Sequence, residues 1–186
     1  MRSGVPVSWG ALEKTLALVA LANFLFFLGE VTAAWILASV ALFADSIDFL
    51  EDAAVNALVL LTLGWSLARR ARLGMGLAGV TMLPALGALW TAWQNASGGA
   101  APSGAGISAV GLAALVVNAA CALALRRHQN AAGSLTKAAF LCARNDVYIN
   151  LLVIAAGLAT LWRPSPWPDI AAGLMIAALN AGAARD

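Results

Sequence analysis

The sequence predicts an all-α, polytopic membrane protein: a bundle of six transmembrane helices with both termini in the cytoplasm. Two observations predict the class and a third the topology. Of 186 residues, 62% are hydrophobic and 11% charged, with a mean hydropathy of +0.85, whereas a water-soluble domain of this size carries about 25% charged residues. The charges are clustered, leaving apolar runs of about 20 residues, the length that spans a hydrocarbon core. Third, the basic residues fall almost entirely at alternate connections, which is how short cytoplasmic loops are marked.

The first span is 15–37, one apolar run that continues past Glu30 and Trp35 and so reads as a helix rather than a cleaved leader. A very short link leads to the second, 41–67, which contains ADSIDFLEDAAVN at residues 44–56 and stops before RRAR. The third is 73–94, followed by the linker NASGGAAPSGAG, whose Gly, Ser and Pro break the helix. The fourth is 107–125, closed by RRHQN. The fifth is 137–161, and RPSPWPD makes the turn to a short sixth, 169–184. Gly and Ala are frequent throughout, as expected where helices pack closely in lipid.

Arg2 and Lys14 precede the first span, Arg69, Arg70 and Arg72 follow the second, Arg126, Arg127 and Lys137 lie between the fourth and fifth, and Arg185 ends the chain. The opposite connections hold only Arg163. The positive-inside rule then gives an even number of spans with both ends cytoplasmic, and Trp90, Trp93, Trp162 and Trp167 mark the other interface. The whole of 1–186 reads as a single transmembrane unit with no soluble domain, set in the cell's inner membrane. A Gly-rich phosphate loop is absent, which argues against ATP hydrolysis. No nucleophile with a partnered base is visible either, so the expectation is that the chain is not an enzyme. The arginine runs set topology and imply no nucleic acid.

A carboxylate at bilayer depth costs about 2.5–3.5 kcal/mol on insertion scales, so several on one span demand compensation. At about 100° per residue, Asp45, Asp48, Asp52 and Asn56 fall in a sector of about 80°, while Glu51 points elsewhere. Asp48 and Asp52 are i,i+4 neighbours whose oxygens converge above one turn; two anions so close repel unless a proton or cation sits between them. The fifth span repeats the spacing with Cys142 and Asp146, with Asn145 and Asn150 expected to flank them on the same side. Asn23 and Glu30 share a face of the first span, and Asn118 lies in the fourth. Three carboxylates and a thiolate on two helices would make a four-ligand metal site, Asp48, Asp52, Cys142 and Asp146, and mixed oxygen and sulfur suits zinc first, then cadmium or cobalt. The plainer alternative is a structural, hydrogen-bonded acid pair, with Cys142, like Cys121, as small packing volume. Asp45, Asn145, Asn150, Glu30 and Asn23 are candidates to pass protons or to support the ligands.

SVALFADSIDFLEDAAVNAL resembles the second span of the cation diffusion facilitators, whose His/Asp-x-x-x-Asp metal pair would fall on Asp48 and Asp52, with Asp45 at the upstream acidic position. AAFLCARNDVYINLLVIAAG resembles the fifth span, the second pair falling on Cys142 and Asp146. Asn23 and Glu30 match a polar pattern of the first span, and WPDI at 167–170 matches the start of the sixth. The resemblance covers nearly all of 15–184 and is to a short bacterial form without the family's cytoplasmic C-terminal domain. Two departures stand out: Cys142 where the family has His or Asp, and a loop between spans four and five whose only histidine is His128. The resemblance implies a six-helix transporter, usually a homodimer in lipid, that expels divalent metal ions in exchange for protons. A second reading of the same scaffold is a non-transporting membrane metal sensor or accessory subunit.

Overall fold

The computed structural model describes residues 9–61, 83–128 and 134–183. Among them are six helical segments and no strand: α1 Trp9–Leu37, α2 Val40–Leu61, α3 at 83–96, α4 Gly104–Arg126, α5 Ser134–Trp162 and α6 Trp167–Ala183. The chain is an all-α membrane bundle. Of these helices, α1 from Gly10, α4, and α5 from Phe140 are long and apolar enough to cross a bilayer. α2 has the length, at 22 residues, but carries Asp45, Asp48, Glu51 and Asp52, while α6 has only 17 residues. α1 begins six residues before the predicted span. RRAR, the predicted start of the third span, Arg2 and Arg185 lie outside the described residues.

Helices α1 and α2 form one hairpin and α4 and α5 another; α1 lies along α4 and α2 along α5. α6 packs against both α2 and α5, and α3 approaches α2, where Gly87 faces the ring of Phe43. The first hairpin turns within two residues. Ser39 N–H donates to the Ala34 carbonyl at 3.0 Å and Ala38 N–H to Trp35 at 3.4 Å, with Ala38 at φ 50°. This is a Schellman closure in which an alanine takes the left-handed position that usually falls to glycine. Asn95 of α3 steadies the turn by donating to the Ala38 carbonyl at 2.9 Å.

The outside of the bundle is apolar: Trp35, Trp90, Trp93, Trp162 and Trp167 are all exposed, as are Leu18, Ile36, Val116 and Leu161. In water this would be an untenable surface; in a bilayer it is the lipid face. The tryptophans gather at the end where α1 passes into α2. Exposed Lys14, Arg126 and Arg127 mark the opposite end, as the charge pattern predicts. Two apolar clusters seal the interior. One, near the α1–α2 turn, joins Ala34, Leu42, Phe43, Ile107, Ile149, Val153 and Ile176. The other, at the basic end, joins Leu12, Leu16, Val19, Cys121, Leu125 and Ala143.

Helices α4 and α5 meet backbone to backbone. A Cβ on Gly157 would stand 2.7 Å from Ser108 N and 2.8 Å from the Gly104 carbonyl, closer than real Cβ contacts come, and one on Gly104 would lie 2.6 Å from Leu161 N. Small residues give van der Waals contact over a long seam where lipid offers no hydrophobic drive for association. Gly157→Ala is therefore expected to push the pair apart and cost about 1–3 kcal/mol, lowering the thermal midpoint of the detergent-solubilised protein. Gly10→Ala, whose Cβ would meet nothing within 4 Å, should leave it unchanged or slightly raised.

Candidate metal centre

Between the two apolar clusters lies a polar layer. Asn23 and Glu30 from α1, Asp45, Asp48, Asp52 and Asn56 from α2, Asn118 from α4, and Asp146 and Asn150 from α5 are all buried. Asp48 and Asp146 are each 7% exposed and Asp52 5%; Glu30 is 1% exposed and Asp45 fully covered. Lys14, Arg126, Arg127, Arg144 and Arg163 are exposed, and His128 is half-buried at the basic end. A carboxylate removed from water needs a counter-charge or several donors, and none of these basic groups is buried beside the acids.

The donors it does supply are amides. Asn118 donates to Asn150 Oδ1 at 3.1 Å, and Asn150 Nδ2 in turn donates to both oxygens of Asp45 at 3.0 Å. This chain crosses from α4 through α5 to α2. The Glu30 carboxyl stands within hydrogen-bonding reach of Asp45, yet neither of its oxygens meets a donor among the described residues. Two carboxyls so placed share a proton or a cation. The carboxyls of Asp52 and Asp146 make a second such pair, across α2 and α5. Asp48 Oδ1 accepts from Asn180 Nδ2 of α6, whereas Asp48 Oδ2 and Asp52 Oδ2 are buried without partners among the described residues.

The structure thus brings Asp48, Asp52 and Asp146 into one layer, with Asp45, Glu30 and Asn150 beside it toward the α1–α2 turn. Asn23 is fully buried with both amide atoms unpartnered among the described residues. Two expected members stand apart. Asn145 is exposed, because it precedes Asp146 by one residue, about 100° round the helix, and does not flank the site as predicted. Cys142 shares the face of Asp146 but its side chain is exposed; at that turn Ala143 is the residue that enters the core. As the side chains stand, no three His, Cys, Asp or Glu residues among those described converge closely enough to hold an ion together.

Two residues of α6 that sequence reasoning did not assign prove to matter. Asp169, wholly buried, receives Ser39 Oγ at 2.6 Å, Val40 N–H at 2.7 Å and Ala41 N–H at 3.2 Å. Ser39 Oγ accepts from Leu42 N–H, and the Ser39 carbonyl from Phe43 N–H. The four N–H groups that open α2 are thus all satisfied, and a carboxylate sits at the positive end of the helix dipole. Asn180 is the second. The WPDI run hinted at Asp169, but the partners of both lie about 130 residues away in sequence.

A helical membrane bundle with a buried acidic layer is the architecture of a protein that handles cations. The family comparison agrees: the cation efflux transmembrane domain matches residues 16–186, essentially the whole chain. The chain belongs to the cation efflux family and is a cation transporter of the cation diffusion facilitator type. A comparison with curated proteins finds no match.

The amide chain carries a direct consequence. Asn150→Ala strips Asp45 of both its donated bonds and leaves the Asn118 amide without an acceptor, so it should destabilise the protein by about 3 kcal/mol or more. Asn118→Ala removes a single neutral bond and should cost about 1 kcal/mol. Thermal unfolding of the two variants in one detergent checks the order.

Proposed function

We propose that the protein exports a divalent metal ion from the cytoplasm in exchange for protons, with zinc as the first candidate and cadmium or cobalt next. The site is formed by Asp48, Asp52 and Asp146, with Cys142 one turn below as the sulfur donor. The observation that carries this reading is the imbalance of the polar layer: Glu30, Asp45, Asp48, Asp52 and Asp146 are buried, whereas Lys14, Arg126, Arg127, Arg144 and Arg163 are exposed and His128 is only half-buried. At an effective dielectric constant of about 20, two carboxylates 4 Å apart repel by about 4 kcal/mol. A layer of this kind is stable when protons or a cation occupy it, and exchanging one for the other is the transport step.

Protons arriving from outside protonate Asp48, Asp52 and Asp146 and release the metal; metal arriving from the cytoplasm displaces those protons, since ligands bind metal deprotonated. Asp52 and Asp146, already paired across α2 and α5, supply the point at which a single ion links the two helices. Binding draws Asp48 and the Cys142 thiol toward that point. The Glu30–Asp45 pair and Asn150, one turn nearer the outside, are placed to pass protons to the site. The protein acts in the cell's inner membrane, and as a homodimer.

Proteoliposomes test the exchange. With an acidic lumen and neutral medium, protons leave the lumen through the protein and zinc should accumulate inside; a protonophore should abolish the uptake. Asp52→Ala should reduce the flux to the level of empty liposomes. Zinc binding by wild type without gradient-driven flux would instead indicate a sensor or accessory subunit. A metal panel run with Cys142→Asp beside wild type should shift preference away from cadmium, the thiolate being the soft donor.

Cys142 offers a second readout. Its exposed thiol should react with a small maleimide well ahead of buried Cys121, and saturating zinc should slow that reaction. Labelling of Cys142 at one rate with and without zinc would remove it from the ligand set.

A further inference from the structure

Among the described residues one side-chain hydrogen bond joins helix α6 to the acidic layer, and the geometry around it is built. α2 and α6 start at the same end of the bundle and run parallel. At the start, Asp169 holds the first turn of α2 through Ser39, Val40 and Ala41. One turn on, α6 comes so close that a Cβ on Gly173 would stand 2.8 Å from the Val40 backbone. Asn180 closes the register: Asp169, Gly173, Ile176 and Asn180 fall within about 60° of one another on α6, and Ile176 is fully buried against α2 and α5. Asn180 lies about 17 Å along α6 from Asp169, and Asp48 about 14 Å along α2 from Ser39. With the helix starts pinned together, the amide arrives beside the carboxylate.

The bond it makes divides the two oxygens of Asp48. Oδ1 accepts from Asn180 Nδ2, and Oδ2 is buried without a partner. Resting on the reading of Asp48 as a ligand, we infer that Asn180 is a specificity-determining residue for the transported cation: it occupies Oδ1, so that Asp48 offers the ion a single oxygen, Oδ2. A carboxylate limited in this way keeps the coordination number low. Zinc is satisfied by four ligands, whereas manganese and calcium favour more oxygens and calcium commonly takes both from one carboxylate. Asn180 thus disfavours the larger, oxygen-seeking ions without touching the ion itself.

The test is equilibrium dialysis of Zn²⁺ and Mn²⁺ against the purified full-length protein in detergent at pH 7, for wild type, Asn180→Ala, Asn180→Leu, Asn180→Gln and Asp48→Asn. Freeing Oδ1 should raise the Mn²⁺ affinity relative to Zn²⁺ about tenfold in Asn180→Ala and in the near-isosteric Asn180→Leu, the scale of one charge-assisted hydrogen bond. Asn180→Gln, which keeps the donor, should hold the wild-type ratio. An unchanged ratio in both Ala and Leu variants overturns the inference. So does an equal loss of affinity for both ions, which would make Asn180 a ligand. Should neither variant fold, zinc-edge X-ray absorption on wild type decides: four donors support the inference and six overturn it. Asp48→Asn separates the two layers of reading, because unaltered zinc binding in that variant removes Asp48 from the site altogether.

Discussion

Acidic groups buried at bilayer depth are the constraint on which the rest of this molecule depends. Glu30, Asp45, Asp48, Asp52 and Asp146 lie between two sealed apolar clusters, where water cannot solvate them freely. Each element nearby is arranged around that difficulty. α1 and α2 present their acids to each other and share what sits between them. α4 and α5 extend amides toward Asp45. The outer faces are largely apolar, with Leu, Ile, Val and Trp side chains exposed where lipid meets them. Removing the acids would leave an ordinary small-residue bundle; keeping them makes the fold dependent on protons or cations to balance their charge.

Placement of α2 is what turns that constraint into a site. The helix carries most of the acids, and its first turn is buried, where four unmatched N–H groups would be costly. Ser39, in the turn just before α2, and Asp169 of α6 satisfy all four. The same contact fixes the height of α2 against α6, while Asn95 fixes the Ala38 turn from α3. Helix α5 is held on the other side by the glycine seam with α4. The helices α2 and α5 are therefore each braced by a neighbour that contributes no carboxylate to the layer, and the Asp52–Asp146 pair closes the gap between them.

Much of this was legible in the sequence, for a local reason. The i,i+4 spacing of Asp48 and Asp52 obliges them to share a helix face, and no tertiary context alters that. The tryptophan and arginine positions likewise report membrane depth residue by residue. What failed was finer angular placement: Asn145 is polar and adjacent to Asp146, but one residue is about 100° of rotation, and it lies outside. Cys142 obeys the period, yet the bundle at that turn admits Ala143, so helical phase alone did not determine burial. Asp169 and Asn180 were illegible in a different sense. Their roles are contacts with α2 from about 130 residues away, and nothing in the local pattern of α6 separates a half-buried amide that props a carboxylate from one that merely packs.

The supply of donors across the layer has a direction. Near the α1–α2 turn, Asp45 receives an amide on both oxygens. Further along, Asp48 receives one on a single oxygen. Among the described residues no side-chain amide reaches the carboxyls of Asp52 or Asp146; the one amide close by on α2, Asn56, gives its hydrogen to the Asp52 carbonyl of the backbone instead. Internal compensation thus thins out toward the Asp52–Asp146 pair, and the need for an external cation or proton grows in the same direction. A layer built only for rigidity would spread its amides evenly, since an acid left without a donor is a net loss to stability. Concentrating them at one end leaves the other end demanding an ion, and it is there that α2 and α5, the two helices with the paired acids, come together.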